Sequence, residues 1–98
     1  MTLPLIVRDE AEQDLAFARQ WYEEQRGGLG DDFLNAVHEK LDEIKQAPLH
    51  HPSGYRDVRL ARTRRFPYII YYRLLVDRID VVAIMHGRRK PQLWKRRL

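Results

Sequence analysis

Cysteine is absent from this 98-residue chain, which excludes disulfides, thiolate nucleophiles and Cys-ligated zinc together and fits a reducing compartment. Long apolar runs are missing as well. The longest fall far short of the roughly 20 residues that a membrane-spanning helix needs, so no membrane partner is expected. The apolar opening from Met1 to Val7 gives way at once to Arg8, Asp9 and Glu10. It lacks the charged start and longer apolar stretch of a secretory signal, and a cytoplasmic protein is the expectation. Glycine and proline number five each, and no low-complexity segment, internal repeat, phosphate-cradling loop or dinucleotide fingerprint appears. His50-His51 has no third ligand at metal-binding spacing, so neither metal nor cofactor is expected. No serine, threonine or lysine has a visible activating partner.

Acidic residues are scarce in the second half. Residues 1–47 carry eleven acidic side chains against five basic ones, whereas residues 48–98 carry thirteen basic side chains against Asp57, Asp77 and Asp80. The overall net charge of +4 hides this sorting. A block so basic is an electrostatic footprint for an anionic partner, nucleic acid or an acidic protein segment, although a solvated basic surface would read the same way. The length fits one domain over residues 1–98, and 44% hydrophobic content suffices for one modest core.

The periodicity predicts β-α-α-β-β-β. Leu3 to Arg8 reads as a short strand with Leu5 and Val7 on one face. Asp9 is placed to cap a helix, with Glu10, Glu12 and Asp14 favouring the positive end of its dipole. Ala11, Leu15, Ala18 and Trp21 or Tyr22 form its apolar stripe. Gly27 and Gly28 end it, Leu29-Gly30 forms the turn, and Asp31-Asp32 begin a second helix striped by Phe33, Val37, Leu41 and Ile44. Pro48 stops that helix, and the two should form an antiparallel hairpin. After a loop at 49–55, strands are expected from Val58, from Phe66 to Leu75, and from Ile79 to Met85. The last is an almost continuous apolar run that suits a strand buried on both faces. The result is an α+β domain, with the N-terminal helix hairpin packed on a mostly antiparallel sheet. Residues 87–98 form a basic C-terminal tail.

The chain resembles the RelE/ParE toxins of type II toxin–antitoxin systems. The features that carry this are Leu5-Ile6-Val7 followed by Asp9 to Leu15, and Pro52-Ser53-Gly54 before a basic strand. Arg65-Phe66-Pro67-Tyr68-Ile69-Ile70-Tyr71-Tyr72 and Val81 to Arg89, ending in His86-Gly87-Arg88-Arg89, complete the set. The resemblance implies a cognate antitoxin partner in a toxin–antitoxin hetero-oligomer, and one of two activities: messenger RNA cleavage on the ribosome, or poisoning of DNA gyrase. Fold alone does not choose between them.

Metal-free RNA cleavage needs a base for the 2′-hydroxyl, cations for the phosphate and an acid for the leaving oxygen. RelE-like members draw these from Arg and Lys on the sheet and a Tyr or His near the C-terminus. Here Tyr68 stands where the resemblance places an arginine, and Trp94 is nearest to the C-terminal tyrosine position. Indole transfers no proton near neutral pH. The remaining set for a ribonuclease would be Arg65, His86, Arg89 and Lys90, with His86 as acid or base. That set is incomplete, which favours the ParE-like reading, a binding inhibitor of gyrase and not an enzyme, over the ribonuclease; an inactive interaction module is the third alternative. Arg88, Arg89, Lys90, Lys95, Arg96 and Arg97, with Trp94 as a flat anchor, are then the expected target-binding residues. Cutting the chain after Gly87 is expected to abolish toxicity and leave the fold intact.

Overall fold

The computed structural model describes residues 2–98; Met1 lies outside the described residues. Strand β1 (Leu5–Val7) leads into helix α1 (Asp9–Gln25), and helix α2 (Leu29–Gln46) returns antiparallel to it. A single 3₁₀ turn at Tyr55–Asp57 precedes β2 (Arg59–Arg62), β3 (Tyr68–Leu74) and β4 (Ile79–His86), and a one-turn helix α3 (Gln92–Lys95) closes the chain. The sheet order is β1-β4-β3-β2. β1 runs parallel to β4 while the other pairs are antiparallel, so the expected α+β order and mostly antiparallel sheet are present.

Asp9 is the first helical residue and Arg8 occupies the cap position without a side-chain bond, one place earlier than expected. Asp9, Glu10 and Glu12 nevertheless fill the first turn, where carboxylates meet the positive end of the dipole. The hairpin turn is also earlier than the sequence suggested. Leu29 and Gly30 already belong to α2, and Gly28, at φ 90°, makes the reversal in a left-handed conformation that side chains resist. Glu23 of α1 caps α2 from outside, its carboxylate accepting the Gly28 and Gly30 N–H groups at 3.0 Å each. Gly30 is a contact glycine: a Cβ there would lie 2.8 Å from the Arg19 carbonyl oxygen.

The helices cover one face of the sheet. Ala11, Leu15 and Ala18 of α1 and Phe33, Val37 and Ile44 of α2 pack on Ala61, Ile70, Tyr72, Ile79, Val81 and Ile84. Tyr22 joins this core, resting on Phe33 and Phe66 at ring-centre distances of 5.0 and 4.9 Å, whereas Trp21 stays half exposed. The strand aromatics divide by alternation. Tyr68 and Tyr72 point under the helices, and the Tyr72 hydroxyl donates to the Pro48 carbonyl at 2.6 Å. Tyr71 points to the opposite face. A register shift at Tyr71/Tyr72 leaves Val82 as an extra residue in β4, which increases the local twist.

That opposite face has a core of its own: Val58, Ile69, Tyr71, Val82, Ala83, Met85 and Trp94. β4 is therefore buried on both sides over Ile79–Met85, as its almost continuous apolar run suggested. One polar residue interrupts it. Asp80, 5% exposed at the side chain, accepts two bonds from Arg8 (2.9 and 2.8 Å) and one from Arg73 (3.1 Å). Burial pushes this carboxyl up, but the hydrogen bonds from Arg8 and Arg73 outweigh it and hold the group below the usual carboxylate range.

Candidate functional site

The end of β4 sets the geometry of the basic tail. Gly87 donates its N–H to the Pro67 carbonyl at 2.8 Å, and the Arg89 N–H bonds the His86 carbonyl at 3.0 Å. The tight turn that results leaves Arg88, Arg89 and Lys90 exposed. Pro91 then precedes α3 at its cap position, its φ already helical.

From here the tail departs from the expected free arm. Trp94 is 5% exposed and stacks on Tyr71, with ring centres 4.8 Å apart and planes 23° from parallel; it anchors the tail to the sheet and offers no face to a partner. Arg97 forks onto Asp14 of α1 at 2.7 and 3.0 Å and bonds the Val82 carbonyl at 3.1 Å. The Arg97 carbonyl in turn accepts a bond from Arg8. Asp14, read from sequence as a solvated helix-start acid, thus has a structural task. It also accepts the Ile84 N–H at 3.0 Å, on the side of β4 that extends beyond the short β1. Two of the expected target-facing residues, Trp94 and Arg97, are consequently engaged within the fold. Lys95 lies 4.4 Å above the Tyr55 ring, and Arg96 is exposed. Among the described residues, ion pairs involve none of Arg88, Arg89, Lys90, Lys95 and Arg96.

A groove of about 370 Å³ runs between α1 and the end of β4, bordered by Phe17, Tyr68, Ile84, His86 and Arg89. Phe17 at its rim is 74% exposed. His86 sits 5.6 Å from the Tyr68 ring, and its Nδ1 accepts the Arg88 N–H at 3.0 Å. The neutral imidazole therefore carries its proton on Nε2, and serving as a base would require breaking the bond that shapes the turn. Burial pushes the Tyr68 hydroxyl up despite the opposing charge of Arg89, so it stays a phenol near neutrality. Arg65 belongs to another groove: at φ 71° its side chain lies 3.8 Å from Asp32 and over the Phe66 ring. Arg89 and His86 are brought together, Lys90 lies beside them in the turn, and Arg65 is not gathered with them. Sequence reasoning missed Asp14, Asp80 and Tyr55. For Asp80 the signal was present, since an acid inside an apolar strand demands a buried cation.

Among the described residues no group of three or more His, Asp or Glu side chains could hold a metal ion, and no helix is long and apolar enough to cross a membrane. Comparison with known proteins supplies what geometry does not. A family model described as "ParE toxin of type II toxin-antitoxin system, parDE" matches residues 5–91. No curated protein matches. Among solved structures, the chain is similar to one titled "Chromosomal ParDE TA system from P. aeruginosa", with a TM-score of 0.74 at 20% identity, covering 87% of this chain and 96% of that one. At that identity the likeness bears on the fold alone.

Proposed function

The chain belongs to the ParE toxin family of type II toxin–antitoxin systems, and from that premise we propose that it arrests growth in the cytoplasm by binding DNA gyrase and trapping its cut state. A cognate antitoxin holds it inactive in a hetero-oligomeric complex. The toxin performs no covalent chemistry of its own, and residues 87–98 of this single domain carry part of its target contact through Arg88, Arg89, Lys90 and Arg96. One observation supports this above others. Among the described residues, exposed cations without ion-pair partners ring the end of β4, while His86 has its Nδ1 engaged by the Arg88 N–H and Arg65 is held apart against Asp32. Cations arranged in this way bind an anionic surface; they do not by themselves move protons.

The expected outcome is that purified protein stops supercoiling by purified gyrase and leaves ribosome-bound message intact. His86→Ala should poison gyrase as well as the native protein does. Message cleavage that falls roughly 10²–10⁴-fold in His86→Ala would instead establish the ribonuclease reading, with His86 as the acid or base.

A further inference from the structure

The unpaired cations of the C-terminal half are joined into one surface by residues that lie far apart in the chain. Tyr55, 45% exposed, holds the Arg56 guanidinium 5.2 Å and the Lys95 ammonium 4.4 Å from its ring centre. Its edge meets Trp94, which stacks on Tyr71. Arg62 is close enough to Tyr71 to oppose the upward push of burial on that hydroxyl. Its Nη1 would also lie 3.7 Å from a Cβ at Gly87, the residue that begins the Arg88-Arg89-Lys90 turn. Arg56, Arg62, Lys95 and the turn therefore form a continuous patch over the face of the sheet opposite α1 and α2. Asp57 is the only acid in the sequence between Glu43 and Asp77, and none follows Asp80. Asp80 is itself enclosed by Arg8 and Arg73.

We infer that this patch docks the phosphate backbone of duplex DNA, so that the protein touches the DNA directly. An acidic amphipathic peptide would need apolar pockets beside the cations. Here Tyr71, Met85 and Trp94 at the centre of the underlying core are at most 6% exposed, and the partly buried Leu60, Leu93 and Leu98 lie at its margin, Leu60 lining a pocket with Pro52 beside Arg62. Apart from Tyr55, the exposed large apolar side chains are Ile6, Phe17, Trp21, Leu49 and Val76, none of them among the residues of the patch. A single strand would need open aromatic platforms for its bases. Trp94 and Tyr71 are buried, and the half-exposed Tyr55 ring already has two cations within 5.2 Å of its centre. Charge is what the patch chiefly presents, which suits phosphates displayed on the outside of a duplex. The choice of DNA over RNA rests on the gyrase reading above.

Fluorescence anisotropy with a labelled duplex tests this without gyrase. Binding should weaken steeply with salt, and Arg56→Gln/Arg62→Gln/Lys95→Gln should lower the slope of log K against log salt by about 2–3, near 0.9 per lost phosphate contact. Affinity at fixed salt should fall roughly tenfold or more. Arg19→Gln/Arg26→Gln/Lys45→Gln removes the same charge from the helix hairpin and should retain most of the affinity. No salt-dependent binding, equal losses in the two triple variants, or displacement by polyglutamate as efficient as by unlabelled duplex would each overturn the inference. Supercoiling assays on the native chain read the gyrase proposal separately: inhibition without DNA binding sinks only the DNA contact, and binding without inhibition sinks only the target.

Discussion

Asp80 is the residue on which most of the polar architecture converges. It lies within a strand buried on both faces and has two guanidiniums as partners, so removing its charge strands Arg8 and Arg73 in partly buried positions. Asp80→Asn should cost about 2–4 kcal/mol at neutral pH, at the lower end of values for broken buried pairs because both arginines retain some solvent. The carboxyl is held below its usual value in the folded state. Its contribution is therefore complete above the unfolded pKa of about 4 and is lost as pH falls through the folded value. Urea denaturation at pH 7 and pH 3 should show the native chain losing more stability on acidification than Asp80→Asn loses. A parallel loss in both proteins would place the acid sensitivity elsewhere.

At the scale of elements, α3 decides whether the sheet face opposite α1 and α2 is dry. One helical turn has no intrinsic stability, so it is held by Trp94 on Tyr71 and by the Arg97 fork on Asp14. Its removal would expose Ile69, Tyr71, Val82 and Met85. Truncation after Gly87, expected from sequence to spare the fold, should instead destabilise it. Trp94→Ala alone should cost about 3–5 kcal/mol, as large aromatic truncations do. Thermal unfolding of both variants measures this. Unchanged melting temperatures would mean that the tail is an appendage after all.

At the scale of the molecule, and among the described residues, paired and unpaired cations are sorted to different sides. The paired ions Arg19–Asp31, Lys40–Glu43 and Arg64–Glu43 belong to the helix side, while Arg56, Arg62 and Lys95 lie unpaired over the opposite face. Phe17 and Trp21 project from α1 at a spacing of four residues, on one helix face. Since both are exposed, Phe17→Ser/Trp21→Ser should leave stability within about 0.5 kcal/mol. If the antitoxin covers this stripe, as the proposed complex suggests, co-purification with it should weaken markedly. Retained binding with unchanged stability would move its footprint off α1.

Element order, helix stripes and the doubly buried strand were legible because local periodicity reports which side of an element meets apolar surroundings. Val37 and Ile44, or Ile79 to Met85, need no knowledge of their partners to be read as core. Turn positions were less legible by one or two residues: Gly28 is required by a positive φ and Gly30 by the approach of Arg19, and a Gly-Gly-Leu-Gly run looks the same either way. The site was the least legible part. Sequence determined that this is a small α+β domain of the RelE/ParE kind with a cationic second half. Only the tertiary structure decided which cations stay free. Arg97 and Asp14, Trp94 and Tyr71, and Arg62 and Gly87 meet across separations that no local pattern encodes, and ion pairing and stacking depend on distance in space.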